Sequence, residues 1–182
     1  MEFKNAVLKC IYTRRSVRDY LDKPVPESVI KDLLNAAVMA PSAMHTLPWN
    51  FSIVTSKEKI KEYSAIALVK LGTIKGKIVN LAIKSIFYNA PLLIFISGKR
   101  NYEWLAHDVN LAVENMFLAA KSLGLGSCYI GFGKSLDKSN EARKELGIPD
   151  DFELSAALVF GYPKKEKKEI PKRQVKILKW VK

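Results

Sequence analysis

The stretch "YEWLAHDVNLAVENMFLAAKSLGLG", residues 102–126, predicts the longest helix of the chain and constrains how the rest must fold. Its apolar residues occupy most of the helical circumference and do not form a single stripe. A helix without a broad polar face is buried, either in a core or between subunits. The sequence therefore places this helix at the centre of the domain or at a subunit boundary.

The segments on either side of this helix predict further helices and a few strands. Helices are expected at residues 2–13, 26–40, 57–88 and 136–149, the third being one or two helices broken around Gly72 to Gly76. Strands are expected at residues 50–56, 91–98 and 151–163, and the tail from Arg173 alternates weakly as though extended. The run "PLLIFISG", residues 91–98, is apolar and β-branched, which predicts a buried strand. No repeat or linker divides the chain, so residues 1–182 are predicted to form one α+β domain.

The composition excludes several classes of protein. The 182 residues are 48% hydrophobic and 26% charged, which is ordinary for a soluble globular protein. No apolar run reaches the roughly 20 residues of a membrane span, and "MEFKNAVLK" lacks the apolar core of a signal peptide. Two cysteines, Cys10 and Cys128, are too few for a disulfide framework or a zinc site. We therefore expect a reducing, cytoplasmic setting.

The net charge of +12 suggests a polyanion partner, but its distribution favours another explanation. The stretch 164–182, a basic C-terminal extension, holds nine basic and two acidic residues. A lysine-rich tail of this kind is usually a solvated surface, and the body has no nucleic-acid motif. We expect no nucleic-acid or membrane partner. Residues 70–87, "KLGTIKGKIVNLAIKSIF", leave open a basic amphipathic helix on lipid, although such helices more often pack against protein.

Motifs for catalysis by side chains are largely absent from the sequence. It contains no P-loop, and "GLGSCYIGFG" fails the dinucleotide fingerprint because Tyr129 stands where the third glycine belongs. His45 and His107 lie far apart, with no carboxylates spaced to complete a metal site. Nothing in the sequence pairs Cys128 with a base, so a buried structural thiol is the favoured interpretation. The chemistry is therefore expected to come from a bound cofactor.

The run "TRRSVRDY", Thr13 to Tyr20, suits the phosphate of such a cofactor. An arginine fork offers two parallel N–H donors that match two phosphate oxygens, and Ser16 adds a hydroxyl. Taken alone, the cluster is as typical of a solvated charged turn. The segments that follow it along the chain decide between the two.

Those segments are "AAVMAPSAMHTLPWNFSIV", "AAKSLGLGSCYIGFG" and "LVFGYPKKEKKEIPKR". Together with "TRRSVRDY", and in the same order, they resemble the signature segments of the nitroreductase family of FMN-dependent oxidoreductases. The resemblance covers nearly the whole chain. It implies an α+β fold with a mostly antiparallel central sheet flanked by helices, in an intertwined homodimer whose subunits share long helices and exchange terminal segments. It also implies two FMN sites per dimer, each built from both chains.

The resemblance implies roles for the residues of the arginine run. Arg14 and Ser16 correspond to ligands of the FMN phosphate and ribityl chain, and Arg15 contributes there, partly through its backbone. Arg18 corresponds to the basic residue beside the pyrimidine end of the flavin. Its charge would favour the reduced ring and so tune the flavin.

Further cofactor contacts are implied for the loop residues Pro41, Ser42, Ala43 and His45, the strand-turn residues Ile130 and Gly131, and the terminal residues Lys172 and Arg173. The loop is expected to reach the flavin from the other subunit, the strand-turn to run beside the ring with an amide on flavin N5, and the terminal residues to return to the phosphate. Many relatives have Asn and Gln where this chain has His45 and Leu47. His45 is expected to contact the ribityl chain or phosphate, to face the substrate, or to be partly buried and hydrogen-bonded to backbone.

The activity implied by the resemblance is hydride transfer from NADH or NADPH, through flavin N5, to small electron-poor acceptors such as nitroaromatics and quinones. The kinetics would be ping-pong, with no catalytic side chain and no metal. Two alternatives stay within FMN chemistry, namely reductive dehalogenation and flavin breakdown. A third is a non-catalytic module that binds flavin or a polyanion.

Overall fold

The computed structural model describes residues 3–75, 85–166 and 169–182. Its helices are α1 (Ala6–Thr13), α2 (Glu27–Val38), α3 (Lys57–Lys75), α4 (Leu105–Ser122) and α5 (Asn140–Glu145), with 3₁₀ turns at Ala43–His45 and Gly131–Lys138. Its strands are β1 (Asn50–Val54), β2 (Leu92–Lys99), β3 (Gly126–Tyr129) and β4 (Phe152–Gly161). The amphipathic helix on lipid that the sequence leaves open at 70–87 includes residues 76–84, which lie outside the described ranges. None of the helices within the described ranges combines the length and hydrophobicity needed to cross a bilayer.

The strands form one antiparallel sheet in the order β1–β2–β4–β3. Strand β2 is buried on both faces, as its apolar run predicts. Leu92, Ile94 and Ile96 face a core that contains α2 and α4. Leu93 and Phe95 face a second core, which includes residues of α3 and β3. The sheet is therefore covered on both sides, and the predicted α+β fold is confirmed.

Helix α4 is covered on one side only within a single chain. Eight of its residues are buried, among them Val109 and Met116, but Leu111 is 48% exposed. Helix α1 has no buried residue, although its pattern predicts an apolar stripe. The exposed large apolar side chains elsewhere include Val38, Met39, Met44, Val175, Ile177, Leu178, Trp180 and Val181. A single chain therefore leaves part of α4 and these side chains uncovered, and exposed apolar surface of this kind is typical of interaction sites.

The segment after α1 extends the sheet at its β3 edge. Ser16 pairs with Ser127 in a parallel bridge, and the N–H of Val17 donates to the carbonyl of Ser127 at 2.9 Å. A side chain on Gly126 would place its Cβ 2.6 Å from a methyl group of Val17, so glycine is required for this approach. The arginine run is thereby attached to the strand that precedes the predicted flavin turn.

The predicted helix at 136–149 is shorter than its pattern suggests. The chain forms the 3₁₀ turn Gly131–Lys138 and then α5, and Ser139 separates the two. The Ser139 hydroxyl accepts from the N–H of Ala142, which starts α5 as a new helix. The capping serine therefore breaks a run that helical spacing alone would join.

Candidate functional site

The arginine run lies beside a basic cavity of about 360 Å³. Arg14 and Arg15 line it together with Lys121, at the end of α4, and Lys165, just beyond β4. Among the described residues that line the cavity, Glu166 is the only acid, and it pairs with Lys121 at 2.8 Å. The cavity therefore has an excess of positive charge, which suits an anionic group such as a phosphate.

Arg14 is directed toward α4. Its Nε lies 3.1 Å from Oε1 of Glu114, and its guanidinium carbon lies 5.4 Å from the ring centre of Phe117. The two charged side chains are 26% and 49% exposed, and a pair this exposed stabilises a fold by only about 0–1 kcal/mol. The contact uses Nε, so the terminal nitrogens remain as donors for a ligand. Arg14 can therefore bind an anion at little cost.

Arg15 directs its guanidinium mainly at main-chain carbonyls. Nε and Nη2 donate to the carbonyl of Glu169 at 3.2 and 3.0 Å, and Nη1 donates to the carbonyls of Tyr12, at 2.9 Å, and Arg14. Of the five N–H groups of an arginine, these contacts leave one. Arg15 also borders a second cavity of about 530 Å³, which Lys172 and Arg173 line. It therefore connects the arginine run to the C-terminal extension.

Ser16 and Arg18 lie close to Cys128. Burial raises the pKa of the Cys128 thiol, while the charge of Arg18, a hydrogen bond with Ser16 and the charge of Arg14 oppose that rise. The thiol is 2% exposed, which makes it an inert structural group. Arg18 itself is exposed, with its guanidinium carbon 5.9 Å from the ring centre of Tyr88. Arg14 and Arg18 therefore contact different parts of the fold, Arg14 helix α4 and Arg18 the ring of Tyr88.

The turn after β3 carries the two predicted ring contacts, Ile130 and Gly131. Ile130 is buried, and its N–H donates to the carbonyl of Ala157 at 2.8 Å, so this amide is used inside the fold. Gly131 is exposed, and a Cβ built on it would meet no atom within 4 Å. The open space beside Gly131 can admit a flat group close to the backbone.

The loop from Pro41 to Pro48 carries the other predicted ligands, and its backbone is strained. Met44, His45 and Leu47 have positive φ angles of 52°, 55° and 46°. Left-handed backbone costs an ordinary residue roughly 1–2 kcal/mol. Inside the loop, the Ser42 hydroxyl accepts from the N–H of Leu47 at 2.9 Å. Other contacts must hold this conformation.

Those contacts come from Asp108 and Tyr102, which sequence reasoning missed. The N–H of Ala43 lies 3.1 and 3.2 Å from the two carboxylate oxygens of Asp108, and the Tyr102 hydroxyl lies 2.7 Å from Oδ2. The Thr46 hydroxyl lies 2.7 Å from that of Tyr102. Burial raises the pKa of Tyr102, and the hydrogen bond and charge of Asp108 add to the rise, while the hydrogen bond of Thr46 opposes it. The available sequence signal was a carboxylate on an otherwise apolar face of α4.

A single chain does not bring all the predicted residues into one site. The loop contacts α4 at Asp108, whereas Arg14 contacts it at Glu114, six residues or about 9 Å farther along the axis. His45 is exposed to solvent, so the partly buried state considered from the sequence is not observed. Lys172 and Arg173 are exposed beside Arg15. No group of three or more potential metal ligands occurs within the described ranges.

Comparison with known proteins identifies the family. The model of the nitroreductase family matches residues 11–162, from the end of α1 to just past β4. The chain belongs to the nitroreductase family. The match includes the arginine run, the Pro41–Pro48 loop and the turn after β3, and it ends before the basic extension.

This family member is 34% identical over 160 residues to an Archaeoglobus fulgidus protein provisionally named NADH dehydrogenase/NAD(P)H nitroreductase, covering 88% of this chain and 87% of the relative. It is 24% identical over 210 residues to the nitrobenzene nitroreductase of Ectopseudomonas oleovorans, covering 93% and 90%. A crystal structure of a nitroreductase with bound FMN from Bacteroides fragilis matches 98% of each chain, with 30% identity and a TM-score of 0.83. The predicted family and its nitroreductase-like fold are confirmed.

Proposed function

We propose that this protein is an FMN-dependent oxidoreductase that transfers reducing equivalents from NADH or NADPH to small electron-poor acceptors such as nitroaromatics and quinones. The observation that carries the proposal is the basic cavity beside the arginine run, in a chain of the nitroreductase family. The FMN-bound Bacteroides fragilis structure and the NAD(P)H nitroreductase name of the Archaeoglobus fulgidus relative support the choice of cofactor and reductant.

The residues of the cavity and of the turn after β3 fit the two ends of a flavin mononucleotide. A phosphate needs converging N–H donors with a positive field, which Arg14, Lys121 and Lys165 supply. A ring system needs a surface without side chains, which the exposed Gly131 offers at the end of β3. The chain thus offers an anion site beside the arginine run and an open surface at Gly131, both near the β3 edge of the sheet.

In the proposed site each part of the chain has a separate task. Arg14 and Ser16 bind the phosphate and ribityl chain, and Lys172 and Arg173 add charge at the phosphate. Arg18 places a positive charge beside the ring, and the exposed Gly131, which follows the buried Ile130, presents main chain to its edge. FMN would supply the hydride chemistry, as flavins do in general. No side chain of the protein is required as an essential acid, because solvent can supply protons.

We also propose that the working form is a homodimer, since one chain leaves the site incomplete. In a single chain the exposed apolar side chains include Leu111 on α4, Val7, Ile11 and Tyr12 on α1, and those of the tail. Among the described contacts of the Pro41–Pro48 loop, which includes Ser42, Ala43 and His45, none reaches the arginine run of its own chain. In the dimer this loop would reach the flavin of the partner subunit.

Purification followed by flavin analysis tests the proposed function. The protein is expected to be yellow, to release FMN on denaturation, and to oxidise NADH or NADPH faster when nitrobenzene or benzoquinone is added. Protein stripped of flavin and reconstituted with FMN should regain this activity, while the stripped protein should lack it. A colourless protein that takes up no added FMN would contradict the proposal. Salt-sensitive binding to nucleic acid in its place would favour the polyanion-binding alternative.

A further inference from the structure

We propose that Asp108 is the positioning residue for the Pro41–Pro48 loop, and that it sets the geometry in which this loop meets the flavin of the partner subunit. The inference rests on the proposed function, because it takes the loop to be part of an FMN site. It concerns a carboxylate that lies on α4, outside the arginine run and outside the other predicted ligands.

The burial of Asp108 is the first observation. The residue is 3% exposed, and carboxylates are rarely buried unless charge partners or hydrogen bonds compensate for the lost water. Within the ranges that the structure describes, no cation forms an ion pair with it. Its contacts are the hydrogen bonds to Ala43 and Tyr102. One donor, the N–H of Ala43, belongs to the loop, and the other, the Tyr102 hydroxyl, contacts the loop at Thr46. The buried carboxylate of Asp108 is therefore placed to hold the loop.

The hydrogen bonds that link the loop to Asp108, directly or through Tyr102, are directed toward the carboxylate. The Tyr102 hydroxyl donates to Oδ2 of Asp108 at 2.7 Å. The Tyr102 oxygen then accepts from the Thr46 hydroxyl at 2.7 Å, and the Ala43 carbonyl lies 3.0 Å from the Thr46 hydroxyl and 3.2 Å from the Tyr102 hydroxyl. The N–H of Ala43 reaches the same carboxylate from the opposite end of this short segment. Asp108 therefore binds the loop twice, directly at Ala43 and through Tyr102 at Thr46.

The strain in the loop makes this attachment consequential. Met44, His45 and Leu47 are held at positive φ, so a released loop would relax toward ordinary backbone angles. The far end of the loop is fixed separately, because the chain enters β1 at Asn50, which pairs with Ser97 of β2. Release at Asp108 would therefore move the middle of the loop, where His45 lies, and leave its end in place.

Variants of the network test the proposal. Asp108→Asn keeps the shape but turns one acceptor into a donor against the N–H of Ala43, and Tyr102→Phe removes the link to Thr46. Glu103→Gln is the matched control, since Glu103 is an exposed carboxylate near the same end of α4. Two quantities are measured: amide hydrogen exchange of residues 43–47 in flavin-free protein, and the Kd for FMN by fluorescence.

We expect both network variants to speed loop exchange at least tenfold and to weaken FMN binding about tenfold. The double variant should be little worse than Asp108→Asn alone, because both changes break one network. The visible circular dichroism of the bound flavin should change in the two variants and stay the same in Glu103→Gln. If Asp108→Asn fails to fold, Tyr102→Phe carries the test, as it removes a single hydroxyl.

Faster loop exchange with unchanged FMN affinity and an unchanged flavin spectrum would overturn the proposal, since the loop would then not meet the flavin. Unchanged loop exchange would overturn it as well, because Asp108 would not hold the loop. Wild-type protein that binds no FMN would instead signal failure of the proposed function. The exchange measurement separates these failures, because it needs no flavin.

Discussion

The guanidinium of Arg15 binds the main-chain carbonyl of Glu169, 154 residues farther along the chain, through two N–H groups. The arginine run and the C-terminal extension therefore meet within one protomer. Two surface ion pairs also hold the start of the extension against the body of the protein, Lys121 with Glu166 at 2.8 Å and Lys164 with Asp19 at 3.1 Å. The resemblance alone assigned Arg15 to the cofactor, whereas the contacts show a side chain largely engaged by the fold.

Arg15→Ala should release the extension. It removes the donors to Glu169, so cleavage by a glutamyl endopeptidase after Glu169 should become several-fold faster in flavin-free protein. Arg15→Lys should behave more like the alanine variant than like wild type, because an ammonium cannot supply the fork. Lys144→Ala, which removes an exposed cation from α5, serves as the control. Equal cleavage rates in all four proteins would show that Arg15 does not hold the extension.

Arg14 and Glu114 should have opposite effects on FMN affinity. Arg14→Ala removes a charge-assisted contact of about 1.5–3 kcal/mol, which corresponds to a loss of about one to two decades for FMN and little for riboflavin. Glu114→Gln frees Arg14 from a competing carboxylate and should tighten FMN by a few fold, within the roughly 0–1 kcal/mol of an exposed pair. Titration of both variants with both flavins measures this. Equal losses for FMN and riboflavin in Arg14→Ala would make Arg14 structural.

Arg18→Ala should lower the reduction potential of the bound flavin and leave the fold intact. Arg18 is exposed, and a positive charge beside the ring stabilises the reduced flavin more than the neutral oxidised one. A shift of tens of millivolts is expected, given that about 30 mV corresponds to 1.4 kcal/mol for two electrons. Spectroelectrochemical titration measures it, and Arg18→Lys should recover much of the potential. An unchanged potential with FMN affinity lost as in Arg14→Ala would assign Arg18 to the phosphate.

The two arginines that contact Asp137 should differ sharply in their effect on stability. Arg143 has an 8% exposed side chain, pairs with Asp137, and donates to the carbonyls of Pro149 and Phe152. Arg143→Ala leaves a carboxylate without its buried partner, and should lower the free energy of unfolding by about 3–5 kcal/mol. Arg100 contacts the same carboxylate at 3.3 Å but is 43% exposed, so Arg100→Ala should cost less than about 1 kcal/mol. Urea unfolding compares them, and similar losses would contradict this account.

The exposed apolar surface should make the protein an obligate dimer. We expect an interface larger than the standard size of about 1,600 Å². Leu111→Glu would put a charge on the exposed face of α4 and should give monomers or unfolded chains, while Lys144→Ala should stay dimeric. Sedimentation at low micromolar concentration measures the state. A stable wild-type monomer loaded with FMN would contradict both the dimer and the shared site.

The local pattern of apolar residues in the sequence determined the main helices and strands of this protein. The apolar run at 91–98 predicts β2 because a strand between two cores needs apolar residues on both faces. Helical spacing predicts α2 because it has a buried side, and the apolar circumference of α4 predicts a largely buried helix. The ordered segments around Arg14, Pro41 and Gly131 identified the family. These features are short-range, so the sequence carries them directly.

The tertiary structure decided which side chains meet. Asp108 accepts a hydrogen bond from Ala43, 65 residues earlier, and Arg15 donates to Glu169, 154 residues later, and no spacing rule links such positions. The sequence shows a carboxylate on an apolar face and a second arginine in a run, but not their partners. Those partners depend on how α4 packs on the sheet and where the chain leaves β4. Burial and hydrogen bonding across long separations are properties of the packed fold, and only there does Asp108 become a support for the loop.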